Sequence, residues 1–246
     1  DRPGEDTRSL KGLPVDCVIG NVLDPQSLSW AMRDVETVFH LAALVSITED
    51  QANLLHAVNV DGTRNVIAAA KNAHVQKLIY TSSIHALERP PAGVKITEKL
   101  SFDPDNPAGA YDRTKAQASL LVQSAAGEGL DTRILCPTGV VGPYDYRRSE
   151  MGELILDFMQ RPLNFMIKGA FDFVDVRDVA KGHILASQRG KSGEVYILSG
   201  WQIKLFELKQ MVQNAAGLRT LTILIPNWLA TVSYTHLRAH ETVLDL

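Results

Sequence analysis

The strongest constraint on the fold is an alternation. Short runs of β character trade places with longer runs of helical period over most of the chain. Val15-Asp16-Cys17-Val18-Ile19, Thr37-Val38-Phe39-His40-Leu41, Lys77-Leu78-Ile79-Tyr80 and Thr132-Arg133-Ile134-Leu135-Cys136 read as strands. Between them, a helix begins at Asp24-Pro25, where an N-cap precedes a proline suited to the first helical position. Residues 50–72 are helical in period, and a further helix runs from Tyr111 to Glu128, ending near Gly127 and Gly129. A chain that alternates in this way builds βαβ units and a parallel sheet, so the expected fold class is α/β.

Two long loops interrupt the alternation. Ile84 to Ala110 holds Pro90, Pro91, Pro104 and Pro107, and the second loop runs from Pro137 to Met151. Loops of this length inside a compact domain tend to be functional. Both follow the carboxyl end of an expected strand, where open α/β sheets place their ligands. Beyond Glu150 the pattern turns irregular, with helices near 151–161, 176–189 and 204–216. The expected plan is an α/β domain over 1–143, with 171–198 returning to it, and a smaller lobe from 144–170 and 199–232. Residues 233–246 (SYTHLRAHETVLDL) continue no amphipathic pattern and read as a foreign or disordered tail.

Composition removes several function classes. Lys+Arg number 25 and Asp+Glu 28, a net charge of -3, so no basic excess points to nucleic acid or an anionic membrane. The two cysteines, Cys17 and Cys136, are too few for a disulfide framework, and no Cys/His cluster has zinc-ligand spacing, so no metal is expected. Both lie in apolar runs and read as small core residues. No run approaches the ~18 apolar residues of a membrane span, and no signal peptide is visible. A cytoplasmic protein is the expectation, and a homodimer is compatible with it.

The residues that carry chemistry lie at the carboxyl end of the third strand and the start of the following helix. In Tyr111-Asp112-Arg113-Thr114-Lys115, a YxxxK, the tyrosine and lysine are four apart and share one helix face. An ammonium there can stabilise a phenolate and turn the tyrosine into a general acid/base. Thr81-Ser82-Ser83 ends a strand, where a hydroxyl can hydrogen-bond a substrate oxygen. No Gly-x-Ser-x-Gly elbow is present, which disfavours a serine hydrolase.

With these residues in view, the sequence resembles the extended branch of the short-chain dehydrogenase/reductases, the NAD-dependent epimerase/dehydratase family. The matching stretches, in family order over about residues 1–215, are Gly20-Asn21-Val22-Leu23-Asp24, His40-Leu41-Ala42-Ala43, Val58-Asn59-Val60-Asp61-Gly62-Thr63, Tyr80-Thr81-Ser82-Ser83, the YxxxK, Pro137-Thr138-Gly139-Val140-Val141-Gly142-Pro143, and Phe173-Val174-Asp175-Val176-Arg177-Asp178-Val179-Ala180. The resemblance implies a Rossmann-type doubly wound parallel sheet that binds NAD or NADP, and a Ser/Tyr/Lys triad. By it, Tyr111 is the proton donor or acceptor, Ser83 orients the reacting oxygen, and Lys115 lowers the tyrosine pKa and holds the nicotinamide ribose. Leu41, Ala42, Ala43 and Thr81 would line the dinucleotide, and Pro137, Thr138 and Val140 would border the nicotinamide. Asn21 and Val22 sit where the family contacts adenine, with Asn21 in place of the usual Asp.

The sequence departs from the family at its front. The first strand, the Gly-rich turn, the helix and the second strand are not seen, so the chain reads as lacking its first βαβ unit. A chain so shortened is expected to bind dinucleotide weakly and to be inactive alone. Asp1 favours the ribose 2′-OH of NAD and Arg2 the 2′-phosphate of NADP, with a slight lean to NAD. Gly139 occupies a position where sugar-nucleotide epimerases and dehydratases carry Asn, and Ile84-His85-Ala86 follows Ser83 where dehydratases tend to carry an acidic pair. The pattern is closer to dihydroflavonol-reductase-type carbonyl reductases, and His85 is a candidate to touch substrate. The expected function is reduction of an aldehyde or ketone of a small molecule. A nucleotide-sugar epimerase or dehydratase and a non-catalytic dinucleotide-sensing regulator are the alternatives.

Overall fold

The computed structural model describes residues 10–46, 49–91, 93–166 and 168–225. They fall into two compact units. The first runs to Thr138 and takes in Asp178–Leu198; the second holds Gly139–Arg177 and the chain from Ser199 onward.

The first unit is built on a parallel four-stranded sheet. Its strands are β1 (Thr37–His40), β2 (Lys77–Thr81), β3 (Asp131–Pro137) and β7 (Val195–Leu198), in the order β1-β2-β3-β7. The register sets His40 beside Tyr80 and Thr81 beside Leu135. Alternate residues of β2 and β3 face opposite ways. Leu78, Tyr80, Ile134 and Cys136 join a core with Val66 and Ala70 of helix α3 (Gly62–Asn72) and with Ala116 and Val122 of helix α4 (Ala110–Gly127). Ile79 and Leu135 pack on the other face, against Ala186 of α6 (Val176–Arg189) and Leu198. Both faces are thus covered, which explains why these strands read as nearly continuous apolar runs.

Helix α1 (Pro25–Ala31) starts as expected, with Pro25 at the first position and the Asp24 side chain accepting from the Gln26 N–H at 3.0 Å. The expected helix over 50–72 is a composite: a 3-10 turn at Glu49–Gln51, α2 (Ala52–Leu55), a π-helical stretch at His56–Asp61, then α3. Gly62 opens α3 because a Cβ there would lie 2.7 Å from Val22 Cγ2. Its absence lets the turn before α1 rest on the helix, where Asn65 Nδ2 donates to the Val22 carbonyl at 3.0 Å. The proline-rich loop is pinned at its base: after a 3-10 turn at Ile84–Ala86, Leu87 bridges to Phe102 and both are buried, while most described residues between them are exposed.

One expected strand does not form. No ladder among the described residues includes 15–19, and Val15, Cys17 and Ile19 are exposed. Strand propensity reflects fit to a pleated, half-buried surface rather than a backbone preference, so an apolar run with no ladder stays irregular. Cys17 is therefore not the core residue expected, whereas Cys136 is buried.

The second unit holds a three-stranded sheet of β4 (Gly139–Val141), β6 (Ala170–Asp175) and β8 (Trp201–Lys204), with β4 parallel and β8 antiparallel to β6. It also holds the parallel pair β5 (Leu163–Met166) and β9 (Leu221–Leu224). Helices α5 (Glu150–Gln160) and α7 (Leu205–Ala216) complete it around Phe158, Met166, Phe173 and Leu208. Residues 139–143 and 171–177, expected with the dinucleotide-type domain, group here because β6 pairs with both β4 and β8. No helix among the described residues is long and apolar enough to cross a membrane. The tail over 233–246 lies outside the described residues.

Candidate active site

The parallel register lines up the carboxyl ends of β1, β2 and β3. Thr81 ends β2, and the two serines that follow turn toward α4. Ser119 donates to the Lys115 carbonyl at 2.7 Å, so Ser82, 2.6 Å from Ser119 Oγ, is the donor of that pair. Ser83 caps the 3-10 turn by accepting from the His85 N–H at 3.2 Å. Its hydroxyl is close enough to the Tyr111 phenol to act on that phenol's pKa. Tyr111 and Lys115 occupy the first two turns of α4, on one face. The Lys115 ammonium donates to the Thr81 carbonyl at 2.6 Å and stands 4.5 Å over the Tyr80 ring. Ser83, Tyr111, Lys115 and Thr81 are therefore brought together.

Burial sets the electrostatics. It pushes the Tyr111 phenol up to about 12, against the nearby Ser83 hydroxyl and with the Asp112 charge. It pushes the Lys115 ammonium down to about 7 and the Cys136 thiol up to about 12. The Tyr111 shift is opposite in sign to the one the resemblance implies. The ammonium is engaged by a carbonyl and a ring, and the groups that act on the phenol are its own burial, Ser83, Asp112 and Cys136. Asp112, on the margin, lies 3.6 Å from Arg89 and 3.9 Å from His85, and burial raises its carboxyl.

Behind the triad lies a polar layer whose residues had no expected role. Asn59, fully buried in the π-helical stretch, accepts from the Leu44 N–H at 2.8 Å and donates to the Leu44 carbonyl at 3.0 Å. It also donates to Thr114 Oγ1 at 3.2 Å, and Thr114 donates to the Tyr111 carbonyl at 3.0 Å. Asn59 thus ties the segment after β1 to the helix that carries Tyr111. His40 Nε2 lies 3.0 Å from Thr63 Oγ1, and Thr63 spends its hydrogen on the Asn59 carbonyl at 2.6 Å. The imidazole must therefore donate from Nε2. Burial first, and the Lys115 charge second, push His40 down to about 3. The available signal was a polar residue inside an apolar run: Asn59 between Val58 and Val60, and His40 after Phe39.

The other expected residues are placed as follows. Leu41, Ala42 and Ala43 are exposed just past β1. Pro137 ends β3, and the Thr138 N–H donates to the Leu198 carbonyl at 3.0 Å. Val140 is on β4, in the second unit. Asn21 and Val22 form the turn before α1, where Asn21 Oδ1 accepts from the Leu23 N–H at 3.0 Å. Asp1 and Arg2 lie outside the described residues. Among the described residues there is no cluster of three metal-ligating side chains.

A parallel sheet with helices on both faces is the Rossmann-type architecture of the extended short-chain dehydrogenase/reductases. The model of the 3-beta hydroxysteroid dehydrogenase/isomerase family matches residues 3–194, and the chain belongs to that family. It is 36% identical over 216 residues to "Sterol demethylase protein B" of Methylococcus capsulatus, covering 88% of this chain and 66% of the relative. It is 34% identical over 225 residues to a Synechocystis protein named "Putative dihydroflavonol 4-reductase", covering 90% and 65%. The crystal structure of gox2253 superposes with a TM-score of 0.86 at 33% identity, covering 97% of this chain and 74% of that one. The chain spans just under two thirds of the length of these two curated relatives.

Proposed function

We propose that the protein is an NAD(P)-dependent oxidoreductase that reduces an aldehyde or ketone carbonyl of a small molecule, with Tyr111 as the proton donor. The observation that carries this reading is the grouping of Ser83 and Tyr111 beside Lys115, whose ammonium is fixed on the Thr81 carbonyl. The groups present suit the nicotinamide end of a dinucleotide. Thr81 and Lys115 offer polar atoms to a ribose or carboxamide, and Leu41, Ala42 and Ala43 offer exposed small and apolar surface at the end of β1. Pro137, Thr138 and Val140 are assigned to the nicotinamide, and Asn21 and Val22 to the adenine. NAD is slightly favoured over NADP through Asp1.

A bound reduced nicotinamide supplies the hydride to the carbonyl carbon. Tyr111, held near 12, carries its proton at neutral pH and gives it to the carbonyl oxygen, which leaves as an alcohol. Ser83 hydrogen-bonds that oxygen and keeps it within reach of the phenol. Lys115, on the same helix face, is the cation assigned to the phenolate left behind; before reaction its ammonium is engaged by the Thr81 carbonyl and the Tyr80 ring. In the full-length protein, Tyr111→Phe removes only the titrating hydroxyl, so turnover is expected to be lost while the dissociation constants for NADH and NADPH stay nearly unchanged. A variant that keeps more than about a tenth of kcat, an effect below ~1.4 kcal/mol, would overturn the assignment.

A further inference from the structure

His183 is a buried ring that this chemistry does not use. It lies on α6 at 5% exposure, one turn before Ala186, the residue that packs on Ile79 and Leu135. Both of its nitrogens are engaged. Nδ1 lies 2.8 Å from the Val179 carbonyl and Nε2 lies 2.7 Å from Thr81 Oγ1. A carbonyl can only accept, so Nδ1 carries the hydrogen. In the neutral ring Nε2 is then a bare acceptor, and the Thr81 hydroxyl must donate to it. This is the opposite tautomer to His40, which donates from Nε2 to Thr63. The Thr81 hydrogen is thereby turned into the protein, and Oγ1 offers a ligand lone pairs only. A hydroxyl without such a partner rotates and serves as donor or acceptor alike.

We propose that His183 is a positioning residue that fixes the Thr81 hydroxyl as an acceptor, so that the group it takes from the cofactor is a hydrogen donor, either the carboxamide N–H or a ribose O–H. The inference rests on the nicotinamide-dinucleotide reading above. It makes one residue of β2 serve two ends: its carbonyl holds Lys115 and its side chain, set by a helix 102 positions away in sequence, reads the ligand.

Two measurements test it. The first needs no cofactor. Long-range 15N–1H spectra of the histidine rings in the full-length protein should show His183 as the neutral Nδ1–H tautomer, with the Nε2 resonance moving in Thr81→Val. An Nε2–H tautomer would overturn the proposal outright. The second compares NADH and NADPH dissociation constants for Thr81→Val, His183→Leu, His183→Gln and the Thr81→Val/His183→Leu pair. Thr81→Val is expected to weaken binding about fivefold, the worth of one neutral hydrogen bond, and His183→Leu two- to fivefold, because the freed hydroxyl can still accept but is no longer held as an acceptor. The pair should be no worse than Thr81→Val alone, and His183→Gln, which keeps an acceptor, should recover most of the loss. Additive losses, or a His183→Leu protein that binds as wild type does, would overturn it; a merely structural histidine would lower thermal stability without this non-additivity. A dinucleotide whose carboxamide is replaced by an acetyl group separates the two donors. If the carboxamide is the donor, wild type discriminates against this analogue and Thr81→Val does not; if a ribose hydroxyl is the donor, both treat it alike. Wild type that binds neither dinucleotide, with the Nδ1–H tautomer in place, would refute the cofactor reading while leaving the His183–Thr81 bond standing.

Discussion

His40 makes stability depend on pH in a calculable way. The ring is 4% exposed, donates to Thr63, stacks at 5.4 Å from Tyr80, and is held down at about 3 against an ordinary 6.5. Because the folded value lies below the unfolded one, the two states bind protons equally above about pH 6.5, and His40 then contributes no pH dependence. As the pH falls through that value the unfolded chain takes up a proton that the native state refuses, so stability drops progressively until about pH 3. At about pH 5 the difference is roughly one and a half pH units below the unfolded pKa, or about 2 kcal/mol at 1.36 kcal/mol per unit. That is a large share of the ~5–15 kcal/mol that keeps a domain folded. Urea unfolding at about pH 7 and pH 5 should therefore show a loss in wild type that shrinks by about 2 kcal/mol in His40→Gln, whose amide still donates to Thr63. Equal losses in the two proteins would show that His40 takes up its proton in the native state as readily as in the unfolded chain, and would refute the depressed value.

Two further outcomes are expected. Gly62→Ala should destabilise by ~1–2 kcal/mol, because overpacking against Val22 exceeds the helix-propensity gain of up to ~1 kcal/mol; in a Val22→Ala background the same change should be neutral or stabilising, and thermal melts that show the same loss in both backgrounds would refute the contact. Lys115→Met should lose turnover yet gain stability at neutral and lower pH. The native ammonium sits at about 7 against 10.5 unfolded, so wild-type stability rises with pH between those values and the buried charge weighs most below about pH 7. A Met variant that is less stable than wild type at about pH 6 would show that the Thr81 carbonyl and the Tyr80 ring fully offset the desolvation.

The sequence made most elements legible because their periods are strong. The helices at Pro25, Ala110, Glu150, Val176 and Leu205 and the strands at Thr37, Lys77 and Asp131 lie close to where pattern and capping placed them. Val15–Ile19 failed because its pattern was that of a strand but no described ladder takes it up. The divide between units differs at residues 139–143 and 171–177, since pairing partners cannot be read from periodicity. At the candidate site, Tyr111 and Lys115 were legible as an i, i+4 pair, and Ser83 as a hydroxyl at a strand end. His183 was not, because its role is a contact between α6 and β2 that local sequence does not encode. The sign of the Tyr111 shift was also hidden, because it follows from burial that only the folded chain creates.

Several of the buried polar groups behind this site have a main-chain partner beside any side-chain one. Lys115 is held by the Thr81 carbonyl, His183 by Val179, Thr63 by Asn59, Ser119 by Lys115, and Asn59 by both backbone groups of Leu44. Such partners satisfy a donor without cancelling its charge. A carboxylate against Lys115 would have raised its pKa and offset its field; a carbonyl and a ring leave it poised near 7, with its charge uncancelled in the protonated form. In the proposed reaction a negative charge appears on Tyr111 after its proton leaves. An ammonium anchored on neutral atoms, in a site of low dielectric, favours that charge without first having to give up another. The destabilisation expected from burying Lys115 and the electrostatic support expected for a Tyr111 phenolate thus have one cause, and a substitution that relieves the first removes the second.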